Sequence, residues 1–248
     1  MKVKRRGIFG MGIVLAVIGA GILLYPLLSQ KMYDLESQKR IREFEVRVEE
    51  INKEPDTEQN DPENQMDGKP KVFFDKLLKR IQEYNEDLYR SGQEELVDPF
   101  SYQQVAFSLR QWGFDEDIIG SIEIPRMGIE LPIYLGATDE NMARGAAHLS
   151  QTSLPVGGEN TNAVIAAHRG YSRAAMFRDI EALQTGDEVI IKNFHDTLFY
   201  QVSEVKVLKP TDIDQILIQP GRDLVTLITC HPYRHNYQRY AVYCERVQ

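Results

Sequence analysis

Three side chains in this 248-residue sequence combine into a chemistry. Cys230 ends the apolar run Leu224-Val-Thr-Leu-Ile-Thr-Cys230 and is soon followed by Pro232, so a strand there would present its thiol at the rim of a sheet. His168 closes a second strand-like run, Ala163-Val-Ile-Ala-Ala-His168, and Arg239 opens the last such run, nine residues after Cys230. A hairpin would bring that arginine back beside the thiol. A thiol with pKa about 8.5 is a poor nucleophile until it becomes a thiolate, which a nearby imidazole or guanidinium favours. An arginine can also hold a substrate carbonyl or the oxyanion of an acyl-transfer intermediate. Cys-His-Arg is therefore an acyl-transfer set, provided the fold gathers it. Singly, each has a plainer reading: a small buried thiol, a structural histidine, an edge arginine.

Other constellations carry less. Cys230, His231 and His235 would supply part of a metal site, but zinc needs about four ligands, usually in paired spacings, and no second cluster exists. No metal or cofactor is expected. Cys230 and Cys244 are the only cysteines, so a bridge between them is open on sequence alone. Each, however, sits in an apolar run with its own packing role, and an exported protein that keeps a thiol invites a reason for it. Asp115-Glu116-Asp117 reads as a solvated turn. Tyr237, Tyr240 and Tyr243 read as packing; Tyr233, close behind Cys230, is the one to watch.

The elements that must position these residues begin at about Ile118, where the texture turns to short β-type runs. Strands are expected over 118–125, 129–135, 163–167, 187–192, 197–208, 224–230 and 239–247, with helices over 139–144 and 172–183. Many short strands and few helices argue for a mainly β, closed or nearly closed antiparallel barrel. Upstream, residues 31–52 have a charged helical pattern with Leu35, Ile41, Phe44, Val48 and Ile51 as apolar positions. Residues 54–70 contain three prolines, many acids and no aliphatic residue, the composition of a solvated linker. A second helix is expected over 72–89, with Phe73, Leu77, Ile81, Tyr84 and Leu88 on one face. After the break at Leu96-Val97-Asp98-Pro99-Phe100 a short helical stretch should run to about Trp112.

The N-terminus sets the compartment. Four cations lie in the first six residues, and residues 7–28 carry no charge at all. As a helix, that stretch would rise roughly 33 Å, about the thickness of a bilayer's hydrocarbon core. It is longer than the apolar part of a cleaved signal peptide and lacks an Ala-x-Ala site. An uncleaved anchor is expected, with 1–6 cytoplasmic and everything after Ser29 outside the cell by the positive-inside rule. Of 29 Lys and Arg, 25 remain beyond the flank against 37 Asp and Glu, so the body is near −12. That does not suit a nucleic-acid binder.

Three segments resemble the sortases, and among them the pilus-assembling class C branch. They are His148-Leu-Ser-Gln-Thr-Ser-Leu-Pro-Val-Gly-Gly158, Val164-Ile-Ala-Ala-His-Arg-Gly170, and Thr226-Leu-Ile-Thr-Cys-His-Pro-Tyr233 with Arg239. The resemblance implies an eight-stranded sortase-type barrel over 113–248, behind a helical stalk within 29–112. It implies a transpeptidase in which Cys230 cleaves an LPXTG-like sorting signal after its threonine. His168 would be the general acid and Arg239 would stabilise or orient the substrate, with Thr229 and Tyr233 beside them. The acyl group would pass to an amine, a pilin lysine or a peptidoglycan cross-bridge. Asp98-Pro99-Phe100, within 96–101, is similar to the class C lid, in which an Asp could pair with Arg239 while an aromatic covers the thiol. The sequence departs from the family's pattern at Ala167, where many relatives carry Gly, and at His231, where pilus enzymes often carry Thr. It also stops at Gln248 without the second apolar anchor of many class C enzymes, which is nearer other classes.

The competing readings separate on sequence features. A cysteine protease would want an Asn or Asp orienting its histidine, and no such signature is present. A non-catalytic surface adhesin on a barrel scaffold should lack a reactive thiol and carry its own sorting signal, and this chain has no LPXTG-like end.

Overall fold

A computed structural model describes residues 2–53, 71–94, 96, 107–171 and 174–247. The expected linker over 54–70 and the Asp98-Pro99-Phe100 motif lie outside the described residues. The eight strands are β1 (Ile118–Ile124), β2 (Ile129–Leu135), β3 (Ala146–His148), β4 (Thr161–Ala166), β5 (Glu188–Asn193), β6 (Thr197–Leu208), β7 (Asp223–His231) and β8 (Gln238–Arg246). They close into a barrel in the order β1-β2-β3-β4-β7-β8-β6-β5. Closure removes the unpaired sheet edges that would otherwise template aggregation.

Three expectations need correction. The barrel is mixed, not antiparallel: β2 pairs with β3, and β4 with β7, in parallel. The short helix α3 (Asp139–Arg144) makes the first parallel return possible, since a tight hairpin cannot join parallel strands. Its start is set by Thr138, whose hydroxyl accepts from the Asn141 N–H. Strand β3 has only three residues, too short for its alternation to register. The helix expected over 172–183 is, in its described part, a run of turns ending in a 3-10 turn at Ile180–Ala182. Its Phe177, Ile180 and Leu183 are buried, so a three-residue apolar spacing is met by turns as well as by a helix.

Two helices pack outside the barrel. Helix α1 (Lys2–Lys53) is continuous through Pro26 and joins the apolar segment to the stalk. Its most apolar 18-residue window has a mean hydropathy of 2.3 and is not buried at all. Burial starts at Ser29, one residue after the apolar stretch ends. Gln30 Oε1 accepts from the Ala175 N–H at 2.7 Å, Tyr33 donates to the Arg144 carbonyl at 3.2 Å, and Ser37 donates to the Glu130 carbonyl at 3.3 Å. Higher up, Phe44 stacks on Phe114 with centroids 5.7 Å apart. Helix α2 (Lys71–Ser91) buries Leu77, Ile81, Asn85 and Leu88 along one stripe, as its apolar spacing predicts. Asn85 grips the loop after β3 at two points, donating to the Leu154 carbonyl (3.1 Å) and accepting its N–H (2.7 Å).

The acidic turn proves to be a fastener: Glu116 pairs with Arg144 and Arg40, and Asp117 accepts from Ser108, Arg110 and the Leu109 N–H. At Gly120 the barrel wall closes tightly. A Cβ there would lie 2.1 Å from the Lys192 carbonyl oxygen, so no larger residue fits without moving β5.

Candidate active site

Strand register assembles the site. In the antiparallel pair β7/β8, Cys230 faces Arg239 directly. In the parallel pair β4/β7, matching ends at Ala166 with Ile228 and is carried one step further by the Ala167 N–H, which donates to the Ile228 carbonyl. Counting on two residues sets His168 alongside Cys230. Alternation supplies the rest. Val225, Leu227, Val242, Cys244, Ile165 and Ala167 pack inside the barrel, whereas Ile228, Ala241, Val164 and Ala166 belong to a second apolar cluster on the outer face. Cys230, His168 and Arg239 share the parity of that outer set, so the three stand on one face of adjacent strands.

Their environments differ in ways that bear on reactivity. Cys230 is half-buried and Cys244 fully buried, and both are thiols, not a disulfide. Val225, not Cys230, is the cross-strand partner of Cys244, which sets the two sulfurs at different heights on the sheet. Burial pushes the Cys244 thiol far up and leaves it inert. Burial also lowers the pKa of His168, opposed by the Asp139 carboxylate at the start of α3, so the imidazole favours its neutral form. The Tyr171 ring stacks on His168, with centroids 4.8 Å apart and planes within 13°. Arg239 is buried, and its Nη1 donates to the carbonyls of Asn236 (2.7 Å) and Gln238 (3.0 Å), which fixes the guanidinium against the β7–β8 turn.

Of the other expected site residues, Thr229 is fully buried and donates to the Ala167 carbonyl at 2.7 Å. It lies beneath the site and locks β7 to the continuation of β4. Tyr233 is exposed and borders the site: its ring passes 3.6 Å from where a Cβ of Gly170 would stand. Of the four tyrosines read as packing or watched, only Tyr243 is buried; Tyr240 is half-buried and Tyr237 exposed.

The His148–Gly158 segment is scaffolding. His148 is buried, its pKa lowered to about 4 by burial, and its Nε2 faces the carbonyls of Thr152 (3.2 Å) and Ser153 (3.0 Å). Sequence reading passed over Tyr171 and Asp139, which lie outside the strand runs that carry the chemistry. Among the described residues no group of three or more His, Cys, Asp or Glu is arranged to hold a metal ion.

A closed mixed barrel with a thiol, an imidazole and a guanidinium on one face is the frame of a cysteine-dependent acyl-transfer enzyme. The chain belongs to the sortase family of cysteine transpeptidases: the Sortase domain model matches residues 122–247. Sortase A of Bacillus anthracis is 28% identical over 183 residues, covering 71% of this chain and 84% of that protein. Among solved structures, Sortase C1 of GBS Pilus Island 1 is 32% identical with a TM-score of 0.70, covering 86% of this chain and 92% of that one. The Streptococcus pneumoniae Sortase C structure, described as informative on pilin substrate specificity, is 32% identical with a TM-score of 0.69 and covers 85% and 97%.

Proposed function

We propose that the protein is a membrane-anchored pilus sortase in which Cys230 cleaves an LPXTG-like sorting signal after its threonine and passes the acyl group to an amine, a pilin lysine. The observation that carries this reading is the pairing of Cys230 with Arg239 while β4 delivers His168 to the same face. Cys230 attacks the scissile carbonyl, Arg239 stabilises the oxyanion or orients the peptide, and His168 protonates the leaving amine and later assists the incoming one. Tyr233 contributes an exposed ring at the cleft edge, and Asp98, Pro99 and Phe100 act as a lid. The pilus assignment is supported by the likeness to pilus sortases C at 32% identity. The cell-wall reading, with a peptidoglycan cross-bridge as acceptor, is the second. The apolar part of α1 crosses the bilayer once, with residues 1–6 inside and residues 29–248 outside a Gram-positive-type surface.

The test is mass spectrometry of an acyl-enzyme trapped with sorting-signal peptides, followed by release to a pilin lysine or a cross-bridge peptide. Cys230→Ala should form no adduct and Cys244→Ala should form it normally. His168→Ala and Arg239→Ala should each slow turnover at least about 100-fold. An adduct on Cys244, or parental rates in either alanine variant, would reject the assigned role, and transfer only to the cross-bridge amine would favour the second reading.

A further inference from the structure

The strands that carry the thiol and the imidazole part from each other just where the chemistry begins, although β7 stays paired with β8. The last recorded bonds between β4 and β7 on this side are those of Ala167 with Ile228 and Thr229. The next residues are His168 and Cys230 themselves. One position further on, on the opposite parity and so at the barrel's mouth, stand Arg169 and His231. Arg169 Nη1 donates to His231 Nδ1 at 2.8 Å. Glu181, in the 3-10 turn at Ile180–Ala182, pairs with Arg169 Nη2 at 2.5 Å and lies 3.2 Å from His231 Nδ1. Tyr240 of β8 closes the group, with the Arg169 guanidinium carbon 5.8 Å from its ring centroid and the His231 ring 5.5 Å away.

We propose that Arg169, Glu181 and His231 are positioning residues that clamp the ends of β4 and β7 and so fix the spacing of His168 and Cys230. The inference rests on the catalytic reading of those two residues. The Arg169 side chain is only 5% exposed, whereas Glu181 is 51% exposed. A guanidinium so far from water is costly unless it is paired, and its pairing ties two strands and a turn together. The tie tolerates a change of charge. A neutral His231 accepts a hydrogen bond from the Arg169 Nη1–H at Nδ1. A protonated His231 donates from the same nitrogen to Glu181, which also screens it from Arg169. Among the described residues, Arg169, Glu181 and Tyr240 are the charged or titratable groups recorded against His231, one from each element packed around it.

Truncation of the clamp should act on rate and not on affinity, since none of its members lies on the face that receives the peptide. In the full-length protein, Arg169→Gln and His231→Asn should lower kcat by about 10- to 100-fold, with KM within about twofold, because small misplacements of reacting groups are expensive. Arg169→Lys should recover part of the loss through Glu181, but not the parental rate. The pH profile of Cys230 alkylation, which reports its coupling to His168, should shift in the same variants. Glu181→Gln, which leaves the buried Arg169 guanidinium without its carboxylate, should lower kcat in the same direction with KM unchanged.

Exposed Glu181 and half-buried His231 can be changed without opening the core, so they decide the matter if Arg169→Gln fails to fold. Parental kcat with an unmoved alkylation profile in both would overturn the clamp, as would a loss carried by KM alone. His168→Ala and Cys230→Ala, measured alongside, separate the two failures. If those variants stay active the catalytic reading falls, and if they are dead while the clamp variants are parental, only the clamp falls.

Discussion

A strand end is the place in a sheet where a side chain is both held and reachable, and Cys230, His168 and Arg239 all occupy one. The same alternation that exposes Cys230 buries Cys244 and Thr229. His168 is poised between two influences, burial that lowers its pKa and the Asp139 carboxylate that raises it. A carboxylate favours the charged imidazolium, so its removal must move the titration down. In Asp139→Asn the His168 imidazole, followed by NMR, should titrate at lower pH than in the parent. An unmoved or rising titration would show that Asp139 does not govern it.

These residues were legible in the sequence because each closes or opens an apolar run and because the motifs around them are specific. The partnership of Arg169, Glu181 and His231 was not, for a physical reason. They meet through the end of one strand, a series of turns and a second strand, and no periodicity marks side chains that converge from three separate segments.

Among the elements, those with strong patterns were placed well and those without were not. Helix α2 follows its 3.6-residue stripe from Lys71 to Ser91, and β6 matches its expected bounds at Thr197–Leu208. Strand β3 and the turns before Leu183 depend on tertiary partners that local pattern does not encode. Asn85 is the clearest case, a polar residue on an apolar stripe whose partner lies 69 residues away. Asn85→Ala would orphan the buried N–H of Leu154, at about 1–3 kcal/mol, while the Leu154 carbonyl keeps the Val156 N–H. Chemical denaturation should show a loss in that range, and an unchanged midpoint would mean that α2 docks by its apolar stripe alone.

The proposed lid belongs to this scale too. An ion pair between Asp98 and Arg239 with an aromatic cover from Phe100 would bias the cleft shut by about 1–3 kcal/mol. Asp98→Ala or Phe100→Ala should then speed alkylation of Cys230 by roughly 10- to 100-fold. Deletion of residues 54–70 is the control and should leave labelling unchanged. Equal labelling in both lid variants and the parent would reduce the motif to a turn.

At the scale of the whole molecule, α1 has two halves with different duties. Residues 11–28 expose their apolar side chains, whereas Ile41, Phe44 and Ile51 bury theirs against the body. Removal of residues 1–28 should therefore give a water-soluble enzyme that melts close to the full-length protein. Removal of residues 1–53 uncovers the partners of Phe44 and its neighbours, each worth about 1.5–3 kcal/mol when buried. That shorter chain should melt markedly lower or aggregate, and equal melting of the two truncations would show that the stalk half of α1 adds nothing to the fold.

The continuity of α1 also determines how this enzyme would meet its substrates. Between Leu28, where the uncharged stretch ends, and Gln30, the first residue hydrogen-bonded to the body, the helix rises only about 3 Å. Gln30 binds Ala175, whose neighbour Ala174 bridges to Tyr171, and Tyr171 lies on the His168 ring. With the apolar segment set across a bilayer, no slack remains between membrane and catalyst. A flexible leash would let the barrel sweep a hemisphere, whereas a continuous helix would hold it at one altitude. Under the proposed anchoring, the search for a partner would be two-dimensional, governed by lateral diffusion in the membrane plane and not by reach.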